Sequence, residues 1–445
     1  MTQNYKAGIT SPAFSSLTGQ LVHLIRQKPV SQSDLEAAAL FTLDAMANSL
    51  AGRRSEPGRI LLDWWQARPS TNGPAEPSAL GFLAGALCHI LETDDLHRAS
   101  VVHPGCVVVP AVWAYATRQP VSGRDFLTAI LHGFEATTRI GMAVGPAHYR
   151  IWHNTATCGP YGSAMAMAQL LGLDDMQAMN ALGNAGSQSS GLWQFLETGA
   201  MTKHLHAGHA VEAGMRAAEL AAFGFTGPPQ ILEGEKGFFR AACPDANPDA
   251  VLADRHAPWQ LTLSSIKPWP SCRHTHPAID AAMELRRHVK GDIATAHVET
   301  YQAALDVCDR PHATSEYEAK FSLQHTVAAS LLRDHVDFAA FGDAARRQCA
   351  DLAARITLEA ADPWKSAYPN HWGARVTLTL TNGETVSAAR TDAKGDPEAP
   401  LSRDEMVAKA QMLLTHGGVS DPDAFIAAVL ALAQDGPAPE LSVNG

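Results

Sequence analysis

The chain has 445 residues, of which 46% are hydrophobic and 18% charged, and its net charge is −11. That composition belongs to a folded globular protein, and the length exceeds what one hydrophobic core usually organises, so two domains are expected. The negative balance argues against a nucleic-acid surface but not against an anionic substrate, because a pocket can carry a local charge opposite to the global one.

Cysteines stand at positions 88, 106, 158, 243, 272, 308 and 349, with no CxxC pair, which suits a reducing compartment. The start, Met1-Thr-Gln-Asn-Tyr5, lacks a basic-then-apolar leader pattern. No run approaches the ~18 apolar residues of a membrane span. A cytoplasmic protein without membrane attachment is expected.

In chain order, Ser31 to Leu50 predicts a helix, capped by Ser31 or Ser33, with Leu35, Ala38, Leu40, Leu43, Met46 and Leu50 on its apolar face. Arg53 to Gly58 breaks it, Leu61 to Ala67 is a short helix, and the stretch rich in Pro, Ser, Asn and Gly from Pro69 to Pro77 is a loop. Two apolar helices, Ser78 to Ile90 and Cys106 to Ala116, follow. Ser122 starts another that runs to about Val144, and Gly159 to Leu171 is a helix of small residues. Asp174 caps the next, and the segment from Gly199 leads into a helix ending near Ala222. Small residues let helices approach closely, which suits a compact bundle.

The texture changes near Ser264. Ala296 to Asp306 is β-compatible, Arg375 to Leu380 alternates, and Asn382-Gly383 is a hairpin signal before Glu384 to Ala389. Helices are expected at Ala278 to Val289 and Leu323 to Arg333. Ser402-Arg-Asp-Glu405 is a capping box that reopens helix. The fold class expected is mainly α: a large helical domain over 1–266, to which 399–445 returns, and an inserted smaller α+β domain over 267–398.

Between the two apolar helices, Leu91 to Gly105 carries Glu92, Asp94, Asp95, His97, Arg98 and His103. A loop between core helices holds such groups only if they are paired or neutralised, and such places are where enzymes put acids and bases. An Asp95–Arg98 ion pair is the plain alternative. Three further stretches combine titratable groups at element ends: Tyr149 to His153; Lys203, His204, His206 and His209; and Lys267 to Pro277 with Arg273, His274 and His276. The i, i+2 histidine spacing is poor for a single metal ion, and no HExxH, phosphate loop, dinucleotide fingerprint or GxSxG occurs. Proton chemistry by side chains alone is the reading left, with cationic residues gripping carboxylates.

The pieces Asp94-Asp-Leu-His97, His103-Pro-Gly105, Trp152-His-Asn-Thr155, Met201-Thr-Lys-His204, Gly208-His-Ala210, Gly224-Phe-Thr-Gly-Pro228 and Lys267-Pro-Trp-Pro-Ser-Cys-Arg-His-Thr-His-Pro277 together resemble the MmgE/PrpD family. The resemblance implies a helical domain interrupted by an α+β domain, a homodimer, no metal or organic cofactor, and a small polycarboxylate substrate. It implies functional roles for Asp94, His103, His153, Lys203 and Lys267. The catalytic set expected is Asp94, His103, His153, Tyr149 and Lys267, with substrate binding by Lys203, Arg273, His97 and His325. Which group is acid and which is base stays open.

Three departures bear on activity. Leu96 stands where the dehydratase and decarboxylase branches have threonine, Cys272 where the decarboxylase branch has histidine, and His325 where decarboxylase-like members have tyrosine. The leading expectation is therefore an epimerase of an imino- or amino-linked dicarboxylate, similar to iminodisuccinate epimerase. The alternative is a lyase of the same family, dehydrating or decarboxylating a citrate-like acid. A metal-dependent hydrolase or a non-catalytic scaffold is less expected.

Overall fold

The computed structural model describes residues 15–68 and 76–440. Most of the expected 69–77 loop lies outside them. The chain divides into two units: residues 1–265 with 402–445, and residues 266–401. The molecule is mainly α with one small sheet. Among the described residues no helix is long and apolar enough to cross a membrane.

The first unit is helical. Gln32–Gly52 begins with a reciprocal capping box between Ser31 and Asp34. Glu56–Gln66 starts earlier than the periodicity suggests, because Pro57 in the first turn lacks only a donor that the helix does not use there. Pro77–Cys88 and Gly105–Ala116 are apolar on every side and buried accordingly. Gly123–Ala143 opens on Ser122. Asn154–Leu170 begins five residues before the expected start and carries Pro160 inside its second turn.

Thr202–Ala222 crosses Asn154–Leu170 at very short range: a Cβ on Gly214 would stand 2.4 Å from Ser163 Cβ and 2.5 Å from Pro160 O. Glycine is what lets the two backbones touch. Leu17–Gln27, which no motif announced, packs on this bundle through buried Leu21, Val22 and Ile25. The tail returns as Arg403–Gly417 and Pro422–Ala431, and Ser402 and Glu405 form the expected capping box.

The second unit holds a four-stranded sheet in the order β2-β1-β3-β4. Its strands are β1 (Ile293–Thr300), β2 (Ile356–Ala360), β3 (Ala374–Leu380) and β4 (Thr385–Arg390). β1 pairs parallel with β2 and antiparallel with β3, and β3 and β4 form the hairpin that Asn382-Gly383 announces. Inward Ala374, Val376, Leu378 and Leu380 alternate with half-buried residues along β3. The β-compatible stretch to Asp306 is corrected: after Thr300 the chain turns helical over Gln302–Cys308, where Gln302 Nε2 bonds Asp306 one turn on at 2.7 Å. Helices His276–His288, Leu323–Leu332 and Asp343–Ala353 complete the unit.

Candidate active site

The loop between Pro77–Cys88 and Gly105–Ala116 is fixed from behind by buried polar contacts. Lys409, on the returning tail helix, donates to the Thr93 carbonyl at 2.6 Å and forms an ion pair with Asp44. Leu96 and Ser265 exchange backbone hydrogen bonds at 2.8 and 2.7 Å. Asn154 Nδ2 donates to Ser100 O at 2.8 Å, and the His103 amide donates to Thr155 Oγ1 at 3.1 Å. Asp95 does not pair with Arg98; it accepts from the Gly105 amide at 2.9 Å and starts the next helix. Burial, then the neighbouring Asp94 and Asp44 carboxylates, push Asp95 well above the usual carboxylate range. Glu92 and Val101 adopt left-handed φ of 61° and 51°. Such strain in non-glycine residues is characteristic of functional loops.

On its other side the loop carries the chemistry. Asp94 is fully buried, with Oδ2 2.6 Å from His89 Nδ1 and 3.2 Å from His103 Nδ1. The His89 ring meets the His103 ring edge-on at 4.7 Å and stacks on His153 at 5.5 Å. His153 Nδ1 lies 3.2 Å from His206 Nδ1. Burial lowers His89 to about 3, His204 and His206 to about 4, and His153 well below its ordinary value. Asp94 is raised by lost hydration but lowered further by His89 and His103, ending well below the carboxylate range. The result is a buried carboxylate held between His89, neutral at pH 7, and His103. Asp94 Oδ1 and His89 Nε2 have no hydrogen-bond partner, so this enclosed spot offers an acceptor and a ring nitrogen to a ligand or water.

The other expected residues of this unit sit around that cluster. Lys203, mostly buried, forms an ion pair with Glu92. Tyr149 is half-exposed and meets Trp193 edge-on at 5.6 Å, and Trp193 in turn contacts the His153 ring at 4.6 Å. His97 stands apart: it is buried, its ring bonds Ser100 Oγ at 2.9 Å and the Gln260 side chain, and burial lowers it to about 4. Those contacts brace the loop.

In the second unit Lys267 is buried, in a backbone segment closed by the Ile266 amide on Gly395 O at 2.9 Å. A Cβ on Gly395 would stand 1.9 Å from Ile266 O, and its φ of +89° favours glycine as well. Arg273 is not an open carboxylate clamp. One guanidinium nitrogen donates to His276 Nδ1 at 2.8 Å and Lys394 O at 3.0 Å, and the other to Asp396 at 2.5 Å. His325 is buried, with Nε2 2.8 Å from Ala340 O.

Among the described residues, two groups of ligating atoms fall within 4.8 Å of one another: His89, Asp94 and Cys106, and His371, Asp392 and Glu398. In the first, burial raises the Cys106 thiol well above its ordinary value. Sequence reasoning does not single out His89, and it names His206 among the titratable groups of its stretch without giving it a role. His89 ends an otherwise apolar helical run, and its only signal was a lone imidazole five positions before Asp94.

A helical unit with a strained loop, a buried carboxylate beside imidazoles and a nearby lysine is the kind of arrangement in which enzymes place acids and bases. The chain belongs to the MmgE/PrpD family: residues 18–250 match its N-terminal domain and residues 269–434 its C-terminal domain. Among similar proteins, the Homo sapiens cis-aconitate decarboxylase is 27% identical over 349 residues, covering 75% of this chain and 72% of its own. The Aspergillus terreus cis-aconitate decarboxylase is 24% identical over 461 residues, covering 94% of this chain and 92% of its own. A cis-aconitate decarboxylase-like protein of Aspergillus oryzae is 31% identical over 228 residues, about half of each chain.

Proposed function

We propose that the protein is a lyase that decarboxylates a small unsaturated polycarboxylate of the cis-aconitate type. The names of the three relatives support decarboxylation over the epimerase expectation, and the Asp94–His103 contact carries the chemistry. A carboxylate separated from an alkene by one saturated carbon leaves as CO₂, and its bonding pair enters an allylic anion. The double bond shifts, and the far carbon takes up one proton. The Asp94 carboxylate, 3.2 Å from His103 Nδ1, favours a hydrogen there and stabilises an imidazolium, so that Nε2, once protonated from solvent, delivers that proton, while Lys203 offers a cation to a substrate carboxylate. Positioned proton transfer of this kind contributes roughly 10²–10⁴ in rate.

Lys267 of the second unit enters this reading through its sequence context; its alanine variant is expected to lose turnover while staying folded. The reading includes a homodimer, which light scattering tests. The second reading is epimerisation of an iminodisuccinate-like dicarboxylate, favoured by buried Leu96 and His325 where the resemblance expects hydroxyl groups.

The experiment is NMR in D₂O with cis-aconitate, 2-methylcitrate and an iminodisuccinate in parallel. Loss of CO₂ from cis-aconitate with one deuterium in the product supports the lyase. Deuterium at Cα with exchange of stereoisomers and no CO₂ selects the epimerase. No change in any of the three sinks both.

A further inference from the structure

A histidine that moves protons through one ring nitrogen needs its other nitrogen held by a partner, because that bond fixes both ring orientation and tautomer. Asp94 does this for His103. His153 is 1% exposed, and its Nδ1 faces a second imidazole, His206, at 3.2 Å. Two neutral imidazoles meeting through their Nδ1 atoms share a single hydrogen, so the ring that donates has a bare Nε2 and the ring that accepts must carry its hydrogen on Nε2.

The surroundings decide which ring donates. His206 lines a surface cleft of about 850 Å³, together with Gln194, Thr202, His209 and Glu212. Water there can take the Nε2–H of His206. His153 instead stacks on His89 and leans on Trp193, with its backbone amide tied to Gly191 O at 2.9 Å. His206 is held in turn by Phe195, whose ring it meets at 5.6 Å, and by a tight seat against Gly191, where an added Cβ would come within 3.3 Å of the His206 ring.

We propose that His206 is the positioning residue of His153: its Nδ1 accepts the His153 Nδ1–H, leaving His153 Nε2 as the working nitrogen. When Nε2 takes up a proton, the His153 imidazolium is stabilised by the unbroken Nδ1–H···Nδ1 bond. When Nε2 gives the proton up, the original tautomer is restored. The Nδ1 hydrogen never leaves, and His206 stays neutral throughout. This rests on the reading that His153 moves a proton in turnover, and it holds for the lyase and the epimerase alike.

The test pairs two variants with one spectrum. In His206→Asn the amide oxygen stands near the position of Nδ1 and can accept; in His206→Leu nothing can. With whichever substrate the wild type consumes, His206→Leu is expected to lose about 100-fold or more in kcat with KM within about threefold, and His206→Asn to stay within about tenfold of wild type. Equal activity in the two variants, high or low, overturns the proposal. Nitrogen-15 NMR of the histidine-labelled wild type, with no substrate, decides the tautomer independently of folding in either variant. His153 protonated on Nδ1 is expected, and His153 protonated on Nε2 overturns the proposal. A wild type that turns over none of the substrates defeats the functional reading, yet the spectrum still decides the role of His206.

Discussion

His89 Nδ1 and Asp94 Oδ2 are 2.6 Å apart, both side chains fully enclosed, and Asp94 uses the same oxygen toward His103 Nδ1 at 3.2 Å. One carboxylate oxygen thus serves two imidazoles, and the other is left for a ligand or water. Asp94→Asn keeps the shape but turns an amide toward one of them and removes the charge that stabilises a protonated His103. Its kcat is expected to fall by at least ~100-fold with little change in KM. His89→Leu, which only removes the supporting donor, is expected to cost closer to ~10-fold. Steady-state kinetics with circular dichroism checks both, and wild-type kcat in Asp94→Asn would remove Asp94 from the mechanism.

Lys203 and Glu92 form an ion pair at the edge of the cluster, with Glu92 at a left-handed φ. A polycarboxylate that binds Lys203 has to compete with that side chain. Glu92→Gln is therefore expected to lower KM severalfold, and Lys203→Met to raise it by about tenfold or more, of the size of a lost charged hydrogen bond. Isothermal titration with the substrate or a saturated analogue checks both. Weaker binding in Glu92→Gln would mean that Glu92 orients Lys203 and does not compete for it.

The helical character, the apolar pair of helices and the 382–383 hairpin could be read from the sequence because each rests on local pattern: periodicity, capping residues, an Asn-Gly turn. Strand β2 could not be. Ile356-Thr-Leu-Glu-Ala360 has one buried and several open positions, and it becomes a strand only because β1 offers it a parallel edge. At the site, Asp94, His103, His153 and Lys203 gather within one unit as their motifs implied. What no motif could give is pairing. Lys203 meets Glu92, Asp95 meets a backbone amide, and His89 and His206 stand behind the motif residues, because those contacts join segments up to 111 positions apart.

Lys409 and Asp44 form a nearly fully buried ion pair, and Lys409 also holds the Thr93 carbonyl at 2.6 Å. Removing one partner strands the other without water. Lys409→Met is expected to destabilise the fold by about 3–5 kcal/mol. Asp44→Leu combined with Lys409→Met is expected to recover part of that, because no lone charge is left. Urea unfolding of the single and double variants measures the difference. A Lys409→Met variant within ~1 kcal/mol of wild type would show that the tail helix does not brace the catalytic loop.

Stability should fall on the acid side of neutrality because several imidazoles are buried in neutral form. Burial lowers His89 to about 3, and His97 and His274 to about 4, each from 6.5. Above pH 6.5 folded and unfolded chains both carry these rings uncharged, so pH has no leverage through them. Below 6.5 the unfolded chain takes up protons that the folded one refuses, and stability falls until the pH reaches the folded values near 4 and 3. At pH 5 each such ring costs about 2 kcal/mol relative to pH 7.5, by the conversion of 1.36 kcal/mol per pKa unit. Their effects add, and the protonation of Asp95, whose carboxyl is raised in the folded chain, opposes them in part. Urea midpoints across that range read the loss directly. A flat profile would mean that these rings are charged and paired in the folded protein.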